Sequence, residues 1–252
     1  MDIAHYLERL RFTGDYAADR DTLYALHRAH MLTVPFENLD IPLKRPIILE
    51  EQALYHKVVE YRRGGFCYEL NGLFAALLRE IGFQVDFLSA RVWTGRDFSQ
   101  DFDHMALLVH LEDDQWLADV GFGDCFIEPL RFVANQEQTI RDVIYRLLPL
   151  DDRWLLQSRK PGEEWENQYL FSTTPYTLKD FEPMCEWQQH APESGFNKRR
   201  ICSRATDEGR VTLSDYKLIV SSPGHREEII LPSEKAVTAA LEQHFAVDLT
   251  LI

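Results

Sequence analysis

Three residues have the side-chain types that a nucleophilic triad requires: Cys67, His104 and Asp119. A cysteine can form a covalent acyl intermediate when a nearby base takes its proton and an acceptor orients that base. His104 begins a very apolar segment, and Asp119 is the only carboxylate inside QWLADV. Because an unpaired carboxylate in apolar surroundings is costly, we expect Asp119 to have a partner. These residues are a candidate Cys-His-Asp triad.

The strongest helix pattern in the chain places Cys67 at the start of a buried helix over 66–81. Apolar residues recur there at helical spacing, and Gly82 ends the pattern. The free N–H groups and partial positive charge of a helix N-terminus favour thiolate over thiol. The glycines before Cys67 in RRGGFCYELN permit a tight turn. We expect the other cysteines to be packing or surface residues, namely Cys125, Cys185 and Cys202.

After Gly82 the pattern changes to strands, predicted at 84–93, 103–111 and 115–120. His104 would stand at the mouth of the second strand, whereas His110 on the same face is interpreted as a core or hairpin-end residue. With a tight turn at 113–114, Asp119 would lie opposite Leu108. That position is about four residues from His104, so strand spacing alone does not establish their contact.

The order of elements predicts an α+β fold. Residues 1–83 read as a helical domain that carries the cysteine, and 84–190 as antiparallel strands that carry the histidine and the aspartate. Further strands are predicted at 142–149, 153–158, 165–171, 210–222 and 226–231. Residues 191–252 form a third unit that closes with a helix over 233–245, capped by Ser233. The pattern assigns no clear elements to 172–204.

Composition excludes several classes of protein. The chain has 27 Lys and Arg against 41 Asp and Glu, a net charge of −14, which argues against binding to nucleic acid or to anionic membranes. No CxxC pair occurs, and although His27 and His30 share a helical face, no further ligand stands at metal-motif spacing. With neither a signal peptide nor a long apolar segment recognisable, we expect a cytoplasmic protein.

Four segments together resemble the arylamine N-acetyltransferases: VPFENLD, RRGGFCYELNGLFAALLREIGF, HMALLV and DVGFG. The resemblance implies a helical bundle, a β-barrel and an α/β lid, with the first two arranged like a cysteine-protease core. It also implies that Cys67, His104 and Asp119 act together in ping-pong acetyl transfer. Acetyl-CoA would be the co-substrate, with no tightly bound cofactor. The acceptor would be an arylamine, an N-hydroxyarylamine or a hydrazine.

The same resemblance implies roles for residues around the triad. Phe36, Val92 and Phe196 would line an apolar slot for the acceptor, and Gly123 would let the acyl donor pass close to the backbone. Glu37 and Arg63 look like a buried structural ion pair. The densest basic run of this acidic chain holds the candidates for binding the CoA phosphates, namely Lys198, Arg199, Arg200 and Arg204.

Three other functions remain open from the sequence. A transglutaminase-like cysteine hydrolase would use the same triad on a related core. An amide synthase would cyclise a carrier-bound polyketide onto an aryl amine. A non-catalytic binding protein would retain the site without its activity. The sequence indicates neither the preferred acceptor nor the oligomeric state.

Overall fold

The computed structural model describes residues 1–250. Its helices are α1 (Ile3–Arg9), α2 (Arg20–Thr33), α3 (Glu51–Tyr55), α4 (Cys67–Ile81), α5 (Glu182–His190) and α6 (Glu234–Phe245). Its strands are β1 (Phe36–Glu37), β2 (Gln84–Val92), β3 (His104–His110), β4 (Gln115–Ala118), β5 (Leu130–Arg131), β6 (Gln138–Ile140), β7 (Val143–Leu150), β8 (Arg153–Arg159), β9 (Glu166–Phe171), β10 (Ile201–Ala205), β11 (Arg210–Ser214), β12 (Lys217–Ser222) and β13 (His225–Ile230).

The first three helices pack around α4. Asp2 and Asp19 cap α1 and α2 by accepting hydrogen bonds from the backbone N–H groups of His5 and Thr22. Every residue of α4 from Cys67 to Leu78 is buried, and Gly82 ends the helix in the left-handed conformation. An apolar helix that is covered on all sides gives its first residue a fixed position.

An antiparallel sheet of eight strands, ordered β5-β4-β3-β2-β9-β8-β7-β6, curls into a nearly closed barrel. Both faces of β3 are buried, which is why the sequence after His104 is continuously apolar. Met105 and Leu107 belong to the core shared with α4, whereas Ala106 and Leu108 belong to the core inside the barrel. The molecule is therefore α+β, as predicted, and α4 and β3 are directly packed together.

A second antiparallel sheet of five strands, ordered β1-β10-β11-β12-β13, forms the lid together with α6. Its first strand, β1, comes from the N-terminal half of the chain and pairs with β10, with Phe36 opposite Ser203. Ser233 caps α6, as predicted, by accepting from the N–H of Ala236. The β1–β10 pairing ties the loop that carries Phe36 to the lid.

Two predictions of local structure differ from the fold. The segment 210–222 is two strands rather than one, because Asp215 adopts a positive φ of 50° and reverses the chain. The segment 172–204, which had no assignment, contains α5 and β10. Within residues 1–250, no helix is both long enough and apolar enough to span a membrane.

Candidate active site

Cys67 is the first residue of α4 and is 3% exposed. Neither glycine before it has a positive φ, so a tight left-handed turn is not their purpose. A Cβ on Gly64 would lie 1.9 Å from the carbonyl oxygen of Pro35, and a Cβ on Gly65 would lie 2.7 Å from Cβ of Glu69. The glycines are needed because the backbone passes very close to its neighbours.

Burial raises the pKa of the Cys67 thiol well above its usual value, and a backbone hydrogen bond from Met105 only partly opposes this. The negative charges of Asp103 and Asp119 raise the pKa further. The burial of Cys67 therefore opposes the effect of the helix N-terminus on the pKa of the thiol. Deprotonation of Cys67 requires a base that takes the proton as the reaction proceeds.

The structure brings His104 and Asp119 together. Nε2 of His104 lies 2.7 Å from Oδ2 of Asp119, and both side chains are buried. The turn before Asp119 is longer than predicted, because His110 pairs with Gln115 and the loop covers 111–114. Leu107 is opposite Ala118 in this register, which sets Asp119 opposite Ala106 instead of Leu108. The aspartate is thereby two residues nearer to the histidine than strand counting indicated.

Several groups fix the Asp119 carboxylate. Its Oδ1 accepts hydrogen bonds from Nδ2 of Asn71 at 2.9 Å and from the N–H of Gly121 at 3.0 Å. Burial alone would raise the pKa of Asp119, but His104 and these hydrogen bonds outweigh it, and the pKa lies below its usual value. The carboxylate is thus ionised and its Oδ2 is directed at His104.

His27 holds the backbone on the other side of Asp119. Its Nε2 accepts from the N–H of Asp119 at 3.1 Å, which leaves Nδ1 to donate to the carbonyl of Ile127 at 3.0 Å. Burial lowers the pKa of His27 to about 4, so its imidazole is neutral at physiological pH. His27 is a fixed neutral support for the loop between the two residues that it binds.

Asn71 and Gly121 were not identified from the sequence. Asn71 stands one helical turn after Cys67, and besides Asp119 its Nδ2 donates to the carbonyl of Met105 at 2.6 Å. A Cβ on Gly121 would lie 2.7 Å from Cα of Cys67. A polar residue inside the apolar pattern of α4 was the available signal for Asn71. Gly121 therefore lets the backbone pass close to Cys67. Gly123 has a φ of 87°, and a Cβ there would lie 3.6 Å from the Phe36 ring. The role of Gly123 toward the acyl donor stays a prediction.

Cys67 and His104 open into one cavity of about 1130 Å³. Three of the predicted slot residues, Phe36, Val92 and Phe196, line this cavity. Further aromatic walls, not predicted from the sequence, are Phe98, Phe122 and Trp187. The Phe122 ring lies 5.0 Å from the His104 ring. Nucleophile, base and a flat apolar surface therefore share one open space.

The family model of N-acetyltransferases matches residues 19–252. An arylamine N-acetyltransferase of Escherichia coli is 37% identical over 245 residues, which cover 96% of this chain and 87% of that protein. This chain belongs to the arylamine N-acetyltransferase family. The solved structure of the Salmonella typhimurium enzyme has a TM-score of 0.92 and 35% identity, over 99% of this chain and 93% of that one. The Mycobacterium marinum enzyme, solved in complex with CoA, has a TM-score of 0.91 and 31% identity, over 99% and 94%.

In this arylamine N-acetyltransferase, only part of the basic run on the lid faces the cavity. Lys198 and Arg199 line it. Arg200 instead binds both carboxylate oxygens of Glu234 and lies over the ring of Tyr216. Arg204 donates to the backbone carbonyls of Leu32 and His244. The structure thus leaves Lys198 and Arg199 as the cavity's candidates for phosphate binding.

The predicted pair of Glu37 and Arg63 is part of a larger buried network. Nη2 of Arg63 lies 2.8 Å from Oε1 of Glu37 and 3.0 Å from Oδ1 of Asp40. Nζ of Lys57 lies 2.6 Å from Oδ2 of Asp40 and 2.7 Å from Oε1 of Glu69. Oε2 of Glu69 accepts from the N–H of Phe66, directly before the nucleophile. A chain of charges therefore connects the 37–40 segment to the start of α4.

Proposed function

We propose that this arylamine N-acetyltransferase moves the acetyl group of acetyl-CoA through a thioester on Cys67. The acceptor would be the nitrogen of an arylamine or hydrazine, or the oxygen of an N-hydroxyarylamine. The observation that carries the proposal is the opening of Cys67 and the His104–Asp119 pair into one aromatic cavity. The CoA complex of the Mycobacterium marinum relative supports a CoA thioester as the donor.

In the first half-reaction, the Cys67 sulfur attacks the thioester carbonyl while its proton goes to His104. Because Nε2 of His104 is engaged by Asp119, Nδ1 is the ring nitrogen that takes this proton. The new carbon–sulfur bond forms as the bond to CoA breaks. The CoA thiolate leaves with the proton that His104 held. Proton transfer within the site overcomes the raised pKa of the buried thiol.

In the second half-reaction, the acceptor nitrogen attacks the acetyl carbon on Cys67. Nδ1 of His104 takes the proton that the nitrogen loses, and the cysteine leaves as thiol when that proton returns to it. Asp119 stabilises the imidazolium that forms in between. An aromatic amine is a weak base and is already unprotonated at neutral pH. Stacking against the aromatic walls is therefore the main requirement for its binding.

The test is intact-mass measurement after incubation with acetyl-CoA alone. We expect one acetyl group on the wild type, located at Cys67 by peptide mapping, and none on Cys67→Ser. Cys185→Ser is the matched control, since it removes another buried thiol and should still be acetylated. Adding an aniline or a hydrazide should discharge the acetyl group to the amine.

Three outcomes would contradict the proposal. Release of free acetate with no amide would indicate a hydrolase. Acylation only by carrier-bound thioesters would indicate an amide synthase. No acylation by any donor would indicate a binding protein.

A further inference from the structure

Asp103 places a carboxylate in the same cavity as Cys67 and His104. It precedes β3 and is partly exposed. Its Oδ1 accepts a hydrogen bond from Nε2 of Gln188 at 2.6 Å. Its Oδ2 accepts no hydrogen bond from residues 1–250. This oxygen is not fully buried, so solvent can reach it. One oxygen is therefore held and the other is free.

A relay of hydrogen bonds from the lid fixes the Asp103 side chain. The N–H of Phe196 donates to Oγ of Ser194 at 3.2 Å, and Ser194 donates to Oε1 of Gln188 at 2.6 Å. Gln188 then donates to Asp103. Because every donor in the relay is directed toward the carboxylate, the relay fixes the position of Oδ1 of Asp103.

No cation of the described chain pairs with this carboxylate. Arg91 also lines the cavity, but its guanidinium donates to the backbone carbonyls of Ser99 and Phe98. Lys198 and Arg199 line the lid side and form no ion pair with Asp103 within residues 1–250. The free oxygen of Asp103 is thus an unneutralised negative charge beside aromatic walls.

This charge works against the nucleophile, because it is one of the causes that raise the pKa of Cys67. A fixed carboxylate with a free oxygen is, however, suited to bind a cationic N–H group. Phe36, Phe196 and Phe122 supply flat surfaces for a ring in the same cavity. The cavity can therefore hold an aromatic ring and a positive charge at once.

We propose that Asp103 is a specificity-determining residue that favours aromatic amines bearing a cationic substituent on the ring. The inference rests on the acetyl transfer proposed above and adds the class of acceptor to it. The aryl amine attacks the acetyl group on Cys67, while the ammonium substituent donates a charge-assisted hydrogen bond to Oδ2. Acceptors with a carboxylate substituent are disfavoured by repulsion.

The test compares three acceptors of similar shape: 4-aminobenzylamine (a cation), 4-aminobenzyl alcohol (neutral) and 4-aminobenzoate (an anion), with the 3-substituted isomers as a second geometry. The measured quantity is kcat/KM for acetylation of the aryl nitrogen, identified by chromatography. We expect the wild type to prefer the cation to the neutral acceptor by about tenfold or more. Asp103→Asn should remove most of that preference and raise kcat/KM for the anion.

Two variants separate charge recognition from folding. Asp103→Glu keeps the charge and should keep a preference for the cation. Asp101→Asn makes the same change at an exposed residue outside the cavity, whose carboxylate pairs with Arg153, and should leave the selectivity unchanged. Formation of acetyl-Cys67 by each variant, measured by intact mass, tests the first half-reaction separately.

The proposal is overturned if the cation-to-neutral ratio of the wild type is near one in both geometries. It is also overturned if Asp103→Asn acetylates Cys67 normally and keeps the wild-type ratio. A wild type that prefers the anion would assign acceptor selection to Lys198 and Arg199 instead. Failure of the wild type to form acetyl-Cys67 would contradict the proposed function itself, before any acceptor is compared.

Discussion

At the scale of single residues, hydrogen bonds decide which nitrogen of His104 carries a proton. Both oxygens of Asp119 are used, Oδ2 by His104 and Oδ1 by Asn71 and Gly121. The proton of a neutral His104 therefore sits on Nε2, and Nδ1 is free to accept another. Asn71 and His27 contact Asp119 but do not line the cavity, so we expect them to be positioning residues.

Replacing Asp119 by Asn should slow acetylation of Cys67 by about 10³-fold or more. If the new side-chain oxygen keeps the bonds from Asn71 and Gly121, its NH₂ group faces Nε2 of His104. That nitrogen must then accept, and the proton moves to Nδ1, which can no longer take the thiol proton. Rapid-quench intact mass with acetyl-CoA measures the rate.

Thermal unfolding of Asp119→Asn is the control for loss of folding. The substitution keeps the shape of the side chain but removes its charge. A variant that unfolds normally and acetylates within tenfold of the wild type would show that Asp119 does not set the tautomer of His104.

At the scale of elements, Glu69 within α4 and Lys57 before it fix the start of that helix. Glu69 folds back so that its Oε2 accepts from the N–H of Phe66, and Lys57 binds its other oxygen. Burial raises the pKa of Glu69 to about 7, with Lys57 opposing the shift and Glu37 adding to it. The negative charge of Asp40 also raises the pKa of Glu69, and Cys185 is close enough to interact with Glu69. The network carries three acids against two bases, and this excess of negative charge adds to the effect of burial.

The stability difference between Glu69→Gln and the wild type should depend on pH. A carboxyl whose folded pKa is raised binds a proton more tightly in the folded state. The wild type therefore loses stability as pH rises from the unfolded value of 4.5 to about 7. Relative to Glu69→Gln, whose amide still accepts from Phe66, we expect a loss of roughly 3 kcal/mol across that window. Urea unfolding at pH 5 and pH 7.5 measures it.

Glu80→Gln is the matched control, since Glu80 lies in the same helix and is exposed. Its unfolding free energy should follow that of the wild type at both pH values. A constant difference between Glu69→Gln and the wild type would show that Glu69 is ionised throughout this range.

At the scale of the whole molecule, the cavity exists because bundle, barrel and lid meet there. Cys67 comes from α4, His104 from β3, and Phe196, Lys198 and Arg199 come from the lid. The chain as a whole carries a net charge of −14. We therefore expect the binding of an anionic donor such as acetyl-CoA to depend on the local positive charge of Lys198 and Arg199.

The double variant Lys198→Glu/Arg199→Glu should raise the KM for acetyl-CoA by about tenfold or more at low salt. The effect should shrink at 1 M salt, because the screening length falls to about 3 Å. Lys179→Glu/Lys235→Glu, at two exposed residues outside the cavity, is the matched control for the change in net charge. Steady-state kinetics at both salt concentrations give the comparison. An unchanged KM at low salt would mean that the donor is held by its pantetheine arm and backbone contacts.

The sequence by itself determined α4, the central strands and the residue types of the candidate triad. The apolar period of α4, the cap at Ser233 and the fully apolar β3 follow from local preferences that neighbours do not override. The residue types of Cys67, His104 and Asp119 indicated a triad, and family motifs indicated the aromatic slot. These signals lie within short segments, so they can be recognised without knowing which segments are in contact.

The tertiary structure decided which atoms meet. The register of β3 and β4 depends on a four-residue turn, and a shift of two residues separates contact from no contact between Asp119 and His104. The supports at His27 and Asn71, the close approach at Gly121 and the free oxygen of Asp103 all arise between segments distant in the chain. Burial also opposes the expected effect of the helix N-terminus on Cys67, because desolvation of a charge depends on everything packed around it.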